Sequence, residues 1–471
     1  MFRILCYLLL PFTISANLLQ PFSGTLFTRH IEFPNGRDEN RYYLSETEQR
    51  LLFNLTPIQE TGPIHGTGYL HPSNHSIQVN TFYFPEALRE YNYEPLLPPE
   101  NLKILIFILN LCNRRVTNDT TLYQRFIFRN TQKNLADYYK SCSLDRMNVW
   151  ENESRLLFPV DVPCNVSLGT TCEDRDFVGW SQYAEGEAVR RGITLSRYKY
   201  RAFIIPFGTT CNWLGLADVG CMSWCRSWVK GGVEGFSLQA LFHELGHNHG
   251  LRHAGTPPDN EYGDFTAAMG SCCGIRCHNV AQGYALGWYD PLPLNLNRSS
   301  TLVELPAMLT QSTNHLRINT YFISFRTRIG YDNDLSAANQ IHIHNYSGTP
   351  SNRYYRSWLL ALLTVNQTWS EKTQGWNIRF LNFTATKALL QINNTKIVGC
   401  GVCGDGVCDP SAGETCFNCP VDCRERTTAA GVYFCCGVTH TCHYFRCNTT
   451  RYICNYECGP APPETVRKII L

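Results

Sequence analysis

The placement of cysteines constrains this chain more than any other feature. Of 23 cysteines, Cys6 lies in the first sixteen residues, and the other 22 form two groups: ten between Cys112 and Cys277, and twelve between Cys400 and Cys458, with none over 278–399. An even count after removal of a leader is what a disulfide framework in an oxidising compartment requires. The two clusters and the gap between them predict domain boundaries. The leader, MFRILCYLLLPFTISA, sets Arg3 before an apolar run and ends in small residues, which fits a secretory signal peptide over 1–16. That run is too short to span a bilayer, so no membrane span is expected after cleavage. Eleven N-x-S/T sequons, from Asn54 to Asn448, also fit export as a glycoprotein.

The patterning between the boundaries predicts a multidomain α+β chain. Residues 17–99 contain short alternating segments such as SGTLFT and SIQVNTFYF, an N-terminal β-domain or pro-segment. A unit over 100–292 mixes the buried-strand candidates KILIFILNLC and RAFIIPF with the helical YAEGEAVRRG and FSLQALFHELGHNHG, an α/β pattern. Over 293–399, β-rich segments recur between polar turns, like an all-β sandwich. A small disulfide-rich module fills 400–471. Its two C-x-x-C motifs, Cys400/Cys403 and Cys416/Cys419, have the spacing of metal ligands, but in an exported chain its cysteines read as disulfide-bonded with connectivity left open, and Asp405, Asp409, Glu414 and Asp422 offer oxygens for a Ca2+ ion without the spacing of an EF-hand loop. With 41 Lys and Arg against 39 Asp and Glu, and no basic run interleaved with aromatics, nucleic acid is excluded as a partner.

HELGHNHGLRH, residues 243–253, concentrates the chemistry. Ser237 is placed to cap a helix from Leu238, with Phe236 packing on Leu241 as a staple. Leu238, Leu241, Phe242 and Leu245 then form one apolar stripe. His243 and His247 lie one turn apart on nearly the opposite side, where two neutral imidazoles can grip one Zn2+. Gly250 can take the left-handed conformation that ends a helix, returning His253 as a third ligand and leaving a fourth position for water. Glu244 is rotated off the ligand direction, where a carboxylate can act as general base. His249 projects back onto the apolar side and is excluded from the site. Composition alone would supply both the glycine and the last histidine at their offsets with a chance of about 0.002, so the pattern is not an accident of a histidine-rich helix end.

HELGHNHGLRHAG, EYGDFTAAMG and CHNVAQGYALGWYD, in that order, resemble the gametolysin family of secreted zinc endopeptidases, and HExxHxxGxxH is the core motif of the metzincin metalloproteases. The likeness is specific over 237–290 and extends more loosely over 22–399, including YFISFRTRIGYDNDLSAANQIHIH. It implies a metzincin-like α/β catalytic domain with one catalytic Zn2+ on His243, His247 and His253, Glu244 as the base, and a methionine turn at Met269. It also implies protein substrates, extracellular-matrix or cell-wall glycoproteins, cleaved outside the cell. Some relatives hold latency through a pro-segment cysteine, yet 17–111 contains none, so a pro-segment here must block the cleft by other means or be a retained domain. Tyr262 is either an oxyanion stabiliser or a structural phenol. The alternative to an enzyme is a secreted binding or adhesion glycoprotein with a purely structural zinc, which needs a fourth closing ligand; Cys272 and Cys273 are the place to look.

Overall fold

The computed structural model describes residues 19–32, 38–44, 49–52, 62–71, 76–83, 100–112, 114–116, 123–129, 133–164, 172–206, 209, 211–221, 223–231, 237–272, 274–294 and 300–394, with short backbone strands between 426 and 457. The leader, Phe236, Cys273 and the acidic residues considered for calcium lie outside them. The described residues are mostly β-sheet with few helices. They divide into two compact units, one of 1–291 with 308–362 and the other of 292–307 with 363–471.

The first unit is built on a ten-stranded sheet. Its N-terminal half is β1 (Leu19–Glu32), β2 (Asp38–Leu44), β3 (Gln49–Leu52), β4 (Gly62–His71) and β5 (Ser76–Tyr83). After a short pair, β6 (Glu100–Leu102) with β8 (Met147–Val149), come β7 (Ile104–Leu111), β9 (Arg155–Val162), β10 (Tyr200–Pro206), β11 (Gly215–Val219) and β12 (Cys225–Gly231). The order is β2-β3-β5-β4-β1-β11-β12-β10-β7-β9, so β1 joins the two halves. The apolar runs explain the centre. Every residue of β7 and β10 is buried, and both are parallel to their neighbours, as continuous Ile, Leu and Phe runs require when a sheet is covered on both faces. Alternate residues of β7 enter different cores. Ile104, Ile106 and Ile108 pack with the helices α1 (Leu135–Ser143) and α3 (Leu238–Asn248), while Leu105, Phe107 and Leu109 pack with Phe177, Trp180 and Ala184 of α2 (Asp174–Arg190).

A six-stranded sheet follows in the order β13-β19-β18-β17-β16-β14, from β13 (Ala254–Gly255), β14 (Asp290–Pro291), β16 (Thr313–Ile318), β17 (Tyr321–Arg326), β18 (Gln340–Asn345) and β19 (Ser357–Leu363), with the short helix α4 (Val280–Ala285) before it. The second unit holds a separate sheet of β15 (Ser300–Pro306), β20 (Thr368–Glu371), β21 (Trp376–Phe383) and β22 (Lys387–Asn394). The β-rich stretch after residue 293 therefore supplies strands to two sheets. Its first hairpins brace the histidine segment.

Disulfides Cys112–Cys164, Cys142–Cys277, Cys172–Cys211 and Cys221–Cys225 stitch the first unit, and all nine described cysteines between 112 and 277 are disulfide-bonded. Cys142–Cys277 links α1 to the segment before α4 across 135 residues, a closure contributing on the order of 4–5 kcal/mol through the unfolded chain. Among the described residues no helix is long and apolar enough to cross a membrane.

Candidate metal centre

Helix α3 begins as its sequence dictates: the Ser237 side chain accepts a hydrogen bond from the Ala240 amide, and Leu238, Leu241, Phe242 and Leu245 are buried. Tyr138 stacks on Phe242 at 3.9 Å, fixing the rotation of the helix. Gly250 has φ of 89°, the left-handed turn that returns the chain to His253. His253 is fixed in turn: its carbonyl accepts from the Ser357 amide at 3.2 Å, and the next residue, Ala254, starts β13 against β19.

These constraints bring His243, His247 and His253 together, all buried. Ring centroids are 4.9 Å apart for His243–His247 and His247–His253, and 5.4 Å for His243–His253. The outer nitrogens are each engaged. His243 Nδ1 donates to the Ala268 carbonyl at 2.8 Å, His247 Nδ1 to the Leu251 carbonyl at 2.9 Å, and His253 Nδ1 to the Glu261 carboxylate at 2.8 Å. A carbonyl or carboxylate only accepts, so in the neutral rings the proton sits on Nδ1 and Nε2 presents a lone pair. His243 Nε2 and His247 Nε2 lie 3.2 Å apart. Two lone pairs at that distance repel unless a cation stands between them, and two ligands of a tetrahedral zinc at its usual bond length are about 3.3 Å apart. The donor set fits Zn2+.

The surroundings hold the three rings in place. Glu261 also pairs with Arg356, and its carboxylate on His253 orients that ring. Met269 is fully buried. A side chain on Gly246 would come within 2.5 Å of its sulfur, so the glycine lets the methionine pack directly beneath the helix. The loop between His253 and Met269 is braced through Asp264, which accepts from His344 at 3.0 Å, Asn279 at 3.1 Å and Thr266. Burial pushes the Asp264 carboxyl up, but the hydrogen bond and charge of His344 outweigh it, with Thr266 and Asn279 adding to them, and hold it well below the usual carboxylate range. Arg326 on β17 pairs with Asp332 at 2.6 Å and donates to the Thr266 carbonyl.

Glu244 is buried on the same helix, against β11. A Cβ on Gly215 would lie 1.9 Å from Glu244 Oε1 and 2.5 Å from its Cδ. That glycine makes the space for the carboxylate. His249 caps α3 and packs on Tyr200 at 4.9 Å, with Nε2 at 3.1 Å from the Tyr139 hydroxyl; burial, then the charges of Arg353 and Lys199, push it down to about 3. It stands apart from the cluster. Cys272 is disulfide-bonded, so it offers no thiolate to a metal.

Several residues escape sequence reasoning. Glu261, Asp264 and Gly215 have roles that arise from tertiary pairing, although Glu261 and Asp264 fall within the EYGD segment. The largest omission is His30 on β1. Its ring centroid is 4.2 Å from that of His253 and 4.8 Å from that of His247, and the ligand atoms of these three all lie within 4.8 Å of one another. Two overlapping triads thus share His247 and His253. Tyr262 lies over the same place, 4.0 Å from the His253 ring, with its hydroxyl 3.3 Å from His30 Nε2.

The gametolysin peptidase M11 family model matches residues 101–368, more than half of the chain. Autolysin of Chlamydomonas reinhardtii is 25% identical in a 350-residue alignment that covers 53% of this chain and 54% of autolysin, so the chain spans about half the length of this curated relative. A solved structure of a chaperone–substrate complex aligns with 50% of this chain and 46% of its own at 10% identity and a TM-score of 0.22, which carries no argument. The extent of the family match, over the stretch that contains the histidine cluster, shows that the chain belongs to the gametolysin peptidase M11 family.

Proposed function

We propose that the chain is a secreted, glycosylated zinc endopeptidase of metzincin type, with one Zn2+ held by His243, His247 and His253 and with Glu244 as general base. The observation that carries this reading is the convergence of Nε2 lone pairs, above all the 3.2 Å between His243 and His247 with both Nδ1 atoms committed to carbonyls. When bound, Zn2+ supplies polarisation of a scissile carbonyl and activation of water near neutral pH. The protein's residues supply the rest. Glu244, fixed by the helix and by the space at Gly215, takes a proton and returns it to the leaving amine. Ala268, Leu251 and Glu261 keep the three rings in the tautomer that binds metal. Met269 supports the helix from below.

The substrates in this reading are extracellular proteins, glycoproteins of a matrix or cell wall. Export is supported by the leader, by the disulfides and by sequon asparagines Asn152, Asn366 and Asn382, which are exposed. A second reading has one observation in its favour. His30 brings a fourth imidazole to the cluster, and four protein ligands are the mark of a structural zinc in a binding or adhesion protein. Zinc content and casein cleavage separate the two, measured on the full chain and after limited proteolysis of its N-terminal segment, for wild type and Glu244→Gln. The enzyme reading expects chelator-sensitive cleavage by the processed wild type, lowered by at least about 100-fold in a variant that keeps its zinc. Equal chelator-sensitive cleavage by the variant removes Glu244 from its role, and zinc without cleavage in any form favours the structural reading.

A further inference from the structure

β1 does more than extend a sheet. It runs antiparallel on β11 in the register Arg29↔Asp218, His30↔Ala217 and Ile31↔Leu216, one position short of Gly215, the residue that accommodates Glu244. An exposed edge strand is where an extended peptide docks by adding a strand, and β1 takes that edge beside the candidate base. It is held firmly. Arg29 is buried, pairs with Asp218 at 2.8 Å, and sets its guanidinium 4.6 Å from the Tyr43 ring and 4.9 Å from that of Trp228. Ile31 packs in the core with Phe107 and Trp228. Between these anchors His30 is carried into the histidine cluster, against His247 and His253.

We propose that His30 is a fourth imidazole ligand to the zinc and that β1 occupies the place of an extended substrate, so that in this arrangement the chain is a self-closed zymogen. The inference rests on the zinc reading above. Three neutral imidazoles leave one position of a tetrahedral ion for water, and a fourth closes it. Residues 17–111 contain no cysteine to serve as a blocking thiolate. An imidazole on a strand pinned by a buried ion pair can do the same work. Release then requires displacement of β1, which a cut or a remodelled N-terminal segment would allow.

The test loads the full chain with Co2+ in place of zinc and follows its visible absorption during titration with acetohydroxamate, a bidentate metal ligand, in wild type, His30→Ala and His30→Asn. A wild-type spectrum of a closed tetrahedral ion, unmoved by acetohydroxamate, is expected. Both variants should show an altered spectrum and bind the probe at least about tenfold more tightly, as follows when the open form ceases to be a minor population. Tight probe binding by the wild type, which needs no variant to fold, overturns the closure. Identical spectra and probe affinities in all three proteins overturn His30 as a ligand while leaving the other three histidines in place. Failure of every form to take up Co2+ overturns the zinc reading, and this inference with it.

Discussion

Gly215→Ala tests how Glu244 is positioned. The added Cβ would meet Glu244 Oε1 at 1.9 Å, Cδ at 2.5 Å and Cγ at 2.8 Å, where ordinary contact begins near 3.4 Å. To restore that contact the carboxylate must move by about 1.5 Å, since overpacking is relieved by shifts of side chains or backbone. The strand cannot readily yield instead. Gly215 pairs with Val229 on β12, and its neighbour Leu216 pairs with Trp228 on the same strand. The rings of His243, His247 and His253 have no part in the clash, so zinc content should stay at the wild-type level. Misplacing a reacting group by an ångström costs about 100-fold in rate, and overpacking of this kind destabilises by about 1–3 kcal/mol. The assay compares kcat/KM on a fluorogenic peptide for the N-terminally processed wild type and variant, with zinc content and Tm measured alongside. A variant within about twofold of wild type in kcat/KM would refute the assignment of Glu244 as a base fixed by β11.

Glu261→Gln should weaken zinc binding by about 10–100-fold, read by competition with a chromophoric chelator, because His253 loses its charged partner; unchanged affinity would contradict the role given to Glu261. Asp264→Asn should destabilise the first unit by about 3–5 kcal/mol at pH 7, because it breaks a buried charged network. The Asp264 carboxyl is held below its usual value, so its stabilisation is present above the unfolded pKa of about 4 and lost as pH falls further; the gap between wild type and variant should narrow below about pH 4 in chemical denaturation, and a constant gap refutes the linkage. Burial pushes His315 and His342 down to about 3, so the folded protein holds them neutral and loses stability as pH falls from about 6.5 towards that value. His342→Gln should therefore take up about one proton fewer on unfolding at pH 5 in a pH-stat, and an unchanged uptake would show that His342 is protonated in the fold.

What was legible in the sequence was local. The cap at Ser237, the apolar stripe of α3, the turn at Gly250 and the exclusion of His249 all follow from spacing along one helix, and the structure has each of them. The continuous apolar runs of β7 and β10 were readable as buried strands for the same reason. What could not be read depends on pairings between distant segments. Nothing in TRHIEF tells that β1 will lie on β11, nearly 190 residues further on, and so nothing marks His30 as a neighbour of His247. Glu261 and Asp264 were visible only as part of a family motif, because their partners His253, Arg356 and His344 come from a turn, from the residue before β19 and from β18 of a later sheet. The β-rich stretch after residue 293 showed its strands but not their allocation to two sheets, since alternation fixes the face of a strand and leaves its partner open.

Anomalous diffraction at the zinc edge from crystals of the full chain tests the central claim most directly. The account predicts a single strong peak within the described fold, with the Nε2 atoms of His243, His247 and His253 each about 2.0–2.1 Å from it. A peak elsewhere, or one from which any of those three rings is turned away, would contradict it.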